Sequence, residues 1–177
     1  MNIKLICIMS IISAVLFVSN ITGGEPPKKD TLTLSSPAFE HNGNIPVKYT
    51  CDGVNVNPPI FIKQVPAGTK SLALIVDDPD APSGTWVHWV LWNMDPAIKE
   101  IKEDSFPKGA KQGMNDFRQQ TYKGPCPPSG THRYFFKLYA LDTTLTLHAN
   151  ATKAELEKSM KGHIIEKAHL VGFYKRR

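Results

Sequence analysis

The sequence contains no glycine-rich phosphate loop of the GxGxxG or GxxxxGK kind and no HExxH spacing. It therefore lacks the signatures of dinucleotide folds, P-loop enzymes and zincin-type metal centres. It has no internal repeat and no low-complexity tract, which argues against solenoids and linker-like chains. It has no basic arm: 21 Lys and Arg stand against 16 Asp and Glu, a formal net charge of +5 spread along the chain. That balance gives no reason to expect a nucleic-acid partner. Cysteine is scarce, with three residues. Beyond residue 18 no long apolar run and no basic amphipathic helix is evident, so any bilayer contact is expected to be at most peripheral.

What remains describes one folded domain. A chain of 177 residues suits one ordinary domain better than two. Hydrophobic residues make up 41% and charged residues 21%, which excludes a disordered chain. Proline is abundant, at 14 residues. Proline breaks helices and central strands, so the body is expected to be mostly β with many turns.

The first residues read as a targeting segment. Asn2-Ile3-Lys4 forms a short basic start, residues 5–18 (LICIMSIISAVLFV) an apolar core, and Thr22, Gly23 and Gly24 a small-residue exit. Residues 1–24 are expected to be a signal peptide, cleaved after Gly24 or a few residues earlier; the alternative is an uncleaved N-terminal anchor. Residues 25–30 then form a polar leader and 31–177 the single domain. The protein is expected to be exported, periplasmic or secreted. Cys7 lies inside the apolar run and is not placed like a lipoprotein cysteine. Cys51 and Cys126 remain, either as a disulfide in an oxidising compartment or as two reduced thiols beside a pocket.

Strand signals recur between turn residues at 31–35, 45–50, 60–65 and 71–76, the last a continuous apolar run. The strongest, rich in aromatic and β-branched residues, are 86–94 (WVHWVLWNM) and 132–141 (HRYFFKLYAL). A closing strand is expected at 164–174. Residues 98–123 show weak periodicity and read as a long irregular surface segment. One helix is signalled: Thr152 and Glu155 have capping-box spacing, Leu156 and Met160 share a face, and Gly162 supplies a stop.

Polar groups gather beside the strong strands. Alternation puts His132 and Tyr134 on the face of Phe136 and Leu138, so the two polar residues sit at the mouth of a strand that runs into the core. The same rule puts His88 with Trp86, Val90 and Trp92. Just before that strand stands Asp77-Asp78-Pro79-Asp80-Ala81-Pro82, whose acids repel one another unless donors or cations compensate them. Just before the other stands Gly124-Pro125-Cys126-Pro127-Pro128-Ser129-Gly130, a stiff loop.

DDPDAPSGTWVHW (77–89) and GPCPPSGTHRYFFKLYALD (124–142) closely resemble the phosphatidylethanolamine-binding protein family, which includes the Raf kinase inhibitor protein. YTCDGVNVNPPI (49–60) resembles its bacterial branch. The resemblance implies a mostly β fold of two antiparallel sheets with few short helices. It also implies a small pocket for anions such as phosphate and phosphorylethanolamine headgroups. The matching positions are Asp78, Asp80, Pro82, His88, Gly124, Pro125, His132 and Tyr134, with Trp86 placed to line the entrance. The resemblance brings no metal, cofactor or catalytic residue. The extra C-terminal helix of many eukaryotic members is not expected, because little sequence follows the last strand.

The leading expectation is a non-catalytic binding protein for a small phosphorylated or anionic ligand. The alternative is an inhibitor or interaction module, kinase- or peptidase-inhibitor-like, acting on a protein partner through surface loops. There the 98–123 segment is the natural contact, and the pocket is expected to survive its shortening. An enzyme is the third class, opposed by the lack of a nucleophile with an adjacent base.

Overall fold

The computed structural model describes residues 31–176. The expected signal peptide and polar leader lie outside the described residues. The domain is built from β1 (Thr33–Ser35), β2 (Gly43–Asn44), β3 (Ile60–Lys63), β4 (Ser71–Asp78), β5 (Trp86–Met94), β6 (Glu100–Ile101), β7 (Lys111–Gln112), β8 (Thr131–Leu141), α1 (Lys153–Met160) and β9 (Ile164–Lys175). These form a three-stranded sheet, β1-β3-β6, and a six-stranded sheet, β2-β9-β8-β4-β5-β7. The mostly β, two-sheet fold with one helix matches the expectation. Every pairing is antiparallel except β2 against β9, a two-residue parallel pair at the sheet edge.

Burial explains the sequence patterns. Leu72, Leu74 and Val76 of β4 face Ile60 and Ile62 of the small sheet, together with Trp89, Leu91, Phe136 and Leu138. Ala73 and Ile75 of β4 face the other way, against Leu145, Leu156 and Met160. A strand buried on both faces reads as an unbroken apolar run, which is what residues 71–76 present. The helix begins with a complete capping box: Glu155 N donates to Thr152 Oγ1 at 3.4 Å, and Thr152 N donates to Glu155 Oε2 at 2.8 Å. Leu156 and Met160 are its buried face.

Three expectations need correction. Residues 45–50 are not a strand: Val47–Tyr49 is a 3-10 turn. Pro46 presets φ at −60°, and its carbonyl accepts from Tyr49 N at 3.0 Å, turning the chain before a strand can extend. The 98–123 segment is irregular but does not lie only over the surface, because Ile101, Ala110, Asn115 and Tyr122 are buried.

The third correction shapes the site. Along the β4–β5 ladder, Val76 pairs with Trp89 and Asp77 with Val87, leaving His88 without a partner. This β-bulge breaks the alternation. Trp92, Val90 and Val87 belong to the helix side, whereas Leu91 and Trp89 belong to the inter-sheet core. His88 therefore leaves the face of Val90 and Trp92 and packs edge-on against the Tyr134 ring of β8 at 5.3 Å.

Candidate functional site

A cavity of about 370 Å³ opens where β4 ends and β5 begins, lined by Asp78, Ala81, Pro82, Ser83, Trp86, His88, Phe117, Cys126 and Pro128. A larger groove of about 540 Å³ runs along residues 95–108, but its lining brings no histidine together with a carboxylate. The chemistry gathers at the smaller one.

The three acids of the first loop point in different directions, and each has its own partner. Asp77 is wholly buried on the helix side, where Lys153 Nζ of α1 donates at 2.6 Å and Lys137 Nζ of β8 at 2.8 Å. Asp80 turns to Arg133, which donates from Nε at 2.9 Å, from Nη2 at 2.6 Å and from its backbone N at 2.9 Å. The Arg133 guanidinium holds the Asp80 carboxyl well below the usual range, at about 2. Asp78 faces the cavity. Its Oδ2 accepts from His132 Nδ1 at 2.7 Å and its Oδ1 from Asp80 N at 2.8 Å. Asp78 is 3% and His132 7% exposed, so this is a nearly desolvated pair. The repulsion expected of clustered carboxylates is thus relieved by three separate sets of donors.

His88, 2% exposed, donates from Nδ1 to the Lys123 carbonyl at 2.6 Å. A carbonyl can only accept, so Nδ1 carries the hydrogen. Burial pushes the imidazole pKa down, favouring the neutral ring. Tyr134, 1% exposed, stands behind it. Burial, then the nearby Asp78 carboxylate, push the phenol up, so it stays a donor. The acceptor beside its hydroxyl is the Asp78 carboxylate, and it is not met in good hydrogen-bonding geometry. Phe117 roofs the site, edge-on to His88 at 5.4 Å and to Trp86 at 5.6 Å.

The second loop builds the wall. Gly124 N donates to Asn55 Oδ1 at 2.7 Å. A Cβ on Gly124 would lie 2.2 Å from the Tyr49 carbonyl oxygen, so only glycine fits this close approach. Cys51 N donates to the Pro125 carbonyl at 3.0 Å. Cys51 and Cys126 are disulfide-bonded, with Cα atoms 5.4 Å apart.

Of the residues expected at the site, Asp78, Pro82, Trp86 and His88 line the cavity. His132 and Tyr134 stand behind them, bonded to Asp78 and stacked on His88. Gly124 and Pro125 are buried within the wall, and Asp80 is held outward by Arg133. Phe117 and Arg133 were not anticipated. Arg133 sits in the HRY triplet, where alternation alone points it away from the core. Phe117 carries no local signal, because it lies in the irregular segment. Since that segment supplies a cavity wall, the pocket is not expected to survive its shortening. Among the described residues no cluster of three or more His, Cys, Asp or Glu is arranged to hold a metal ion, and no helix is long and apolar enough to cross a membrane.

Residues 35–175 match the family described as phosphatidylethanolamine-binding protein. A UPF0098 protein of Methanothermobacter thermautotrophicus is 49% identical over 150 residues, covering 82% of this chain and 99% of that protein. One from Pyrococcus horikoshii is 49% identical over 173 residues, covering 92% and 85%. Among solved structures, a phosphatidylethanolamine-binding protein homologue from Chlamydia trachomatis superposes with a TM-score of 0.80 at 40% identity, covering 84% of this chain and 99% of that one. YBCL of E. coli, described as a member of the mammalian PEBP family, superposes with a TM-score of 0.78 at 30% identity, covering 82% and 99%. None of these names specifies a reaction. The chain belongs to the phosphatidylethanolamine-binding protein family.

Proposed function

We propose that the protein is an exported, non-catalytic binding protein whose cavity takes a small phosphorylated or otherwise anionic ligand of the phosphorylethanolamine kind. The observation that carries this reading is the convergence at the cavity of the buried His88 imidazole and the nearly desolvated Asp78–His132 pair, with the Tyr134 hydroxyl behind them. A phosphoryl oxygen entering the cavity would offer that hydroxyl a better-aimed acceptor than Asp78, and Ser83 supplies another hydroxyl at the lining. A space of about 370 Å³ suits a headgroup and leaves little room for acyl chains. Catalysis is disfavoured by the imidazoles' own bonds. His132 is turned to Asp78 and His88 to Lys123, and neither is bonded to Ser83.

Calorimetry with phosphorylethanolamine at pH 5.5 tests this. Saturable one-to-one binding is expected, lost in His88→Ala and kept in the distant surface variant Phe106→Ser. Equal binding in His88→Ala would overturn the reading.

A protein-inhibitor role is the second reading. Phe106 is 47% exposed at the rim of the 540 Å³ groove, where an apolar partner residue would find it. Inhibition of a serine peptidase that Phe106→Ser abolishes while phosphorylethanolamine binding persists would favour it.

A further inference from the structure

We propose that Asp116 is a positioning residue of the cavity: it clamps the bulge in β5 from the side away from β4 and so fixes where the His88 imidazole stands. Where a ligand is concerned, this rests on the phosphoryl-ligand reading above.

A regular strand sends consecutive carbonyls to opposite edges. At the bulge this alternation fails. The Val87 carbonyl accepts from Asp116 N at 3.0 Å and the next carbonyl, of His88, accepts from Lys123 N at 3.1 Å. Both therefore turn to the segment 113–123, which follows β7, the neighbour of β5 on the side away from β4. His88 has no partner in the β4–β5 ladder. Buried backbone groups need partners, and the extra residue of a bulge is the one the ladder leaves out. The segment 113–123 supplies what the ladder does not.

Asp116 holds Val87 at two points. Its N donates to the Val87 carbonyl, and its Oδ2 accepts from Val87 N at 2.7 Å. Lys123 holds His88 in the same way: its N donates to the His88 carbonyl, and its carbonyl accepts from ring Nδ1 at 2.6 Å. Asn115, 3% exposed, ties the two clamps together. Its Oδ1 accepts from Gln119 N at 2.9 Å, and its Nδ2 donates to the carbonyls of Thr121 at 2.8 Å and His88 at 3.3 Å. Segment and bulge thus form one hydrogen-bonded unit. Phe117, the residue after Asp116, extends that unit to the roof over His88 and Trp86.

Asp116 does not line the cavity and is itself exposed. It acts through the backbone of Val87, whose buried N–H loses its acceptor when the carboxylate is removed. An acceptor oxygen is all that this N–H asks for, so an asparagine side chain should serve as well as an aspartate. The imidazole should then keep its bond to Lys123, whereas an alanine should release it.

Asp116→Ala and Asp116→Asn are compared with the wild type in the full-length protein. NMR of protein labelled at its histidine ring nitrogens reads the Nδ1 proton of His88. Calorimetry at pH 5.5 reads phosphorylethanolamine binding, and thermal melts read the fold. The wild type and Asp116→Asn should show the Nδ1 proton bonded and slow to exchange. In Asp116→Ala that proton should be lost to solvent, and affinity should fall about tenfold, the factor that one misplaced hydrogen-bonding group corresponds to. Asp116→Ala should still melt cooperatively, because β5 keeps its ladder with β4. A lowered melting temperature with the ring proton and the affinity both retained would make Asp116 a support of the strand alone and overturn the inference. So would loss of the ring proton in Asp116→Asn, which would assign the effect to charge. A wild type that binds no phosphorylethanolamine overturns the ligand reading and leaves this inference to be decided by the ring proton.

Discussion

Tyr134→Phe deletes a buried hydroxyl that meets no acceptor in good geometry, the Asp78 carboxylate being the one beside it. A buried polar atom without a partner costs about 1–3 kcal/mol relative to water. Phenylalanine keeps the ring, and with it the 5.3 Å edge-on contact to His88. The free protein should therefore become more stable, and its melting temperature should rise by about 2–4 °C for each kcal/mol recovered. Binding should move the other way. A hydrogen bond from the phenol to a charged phosphoryl oxygen is worth about 1.5–3 kcal/mol, so affinity for phosphorylethanolamine should drop about 10- to 150-fold. Few substitutions are expected to raise stability and lower affinity together, which makes the pair of signs diagnostic. Differential scanning calorimetry and titration calorimetry on the same preparation read both. A lower melting temperature would show that the hydroxyl bonds Asp78 in solution. Unchanged affinity would remove Tyr134 from the binding machinery and refute the reasoning.

Two further outcomes concern the supports of the cavity. Asp80 ionises at about 2 in the folded protein, against about 3.9 in an unfolded chain. A depressed acid stabilises above its unfolded value and loses that contribution as pH falls through the folded one. Arg133→Ala should thus lower stability at pH 7, by about 1 kcal/mol or less because the pair is partly exposed. The gap from wild type should close between pH 4 and pH 2 in acid melts, and a gap of constant size across that range would refute the assignment. The disulfide spans 75 residues of sequence, and releasing it should cost about 4 kcal/mol by chain entropy. Melts with and without dithiothreitol, against the Cys51→Ser and Cys126→Ser double variant, measure it. Equal melting temperatures would show that the cross-link does not constrain the chain.

The long strands were legible because their signal is local. Residues 86–94 and 132–141 alternate or run apolar over enough positions for burial to write itself into the sequence, and they appear as β5 and β8. The shortest elements were not. β2, β6 and β7 are two residues each and exist only because a neighbouring strand edge offers them hydrogen bonds. The bulge at His88 was invisible for a related reason. A register shift is a property of two strands together, and either strand alone reads as regular. Phe117 is set by the pairing of Asp116 with Val87, where Asp116 N donates to the Val87 carbonyl and its carboxylate accepts from Val87 N at 2.7 Å. Nothing within five residues of Phe117 foretells that contact with β5.

The bulge also explains how two adjacent carboxylates can serve opposite sides of one sheet without conflict. Asp77 and Asp78 are consecutive in β4, so alternation sends one toward α1 and the other toward the cavity. On β5 the opposite partners are Val87 and Trp86, shifted by the extra residue. Without that residue, regular pairing would leave His88 on the face of Val90 and Trp92, beside the lysine-bound Asp77. The inserted position brings the imidazole to the Asp78 side, over Tyr134 and under Phe117. The lysines and the arginine are thereby spent on Asp77 and Asp80, while Asp78, which lines the cavity, is left with an imidazole and a backbone N–H. On the proposed function, the placement of His88 at the cavity rests on that inserted residue. That is why deleting the bulge, more than neutralising any one acid, should abolish binding while β4 and β5 remain paired.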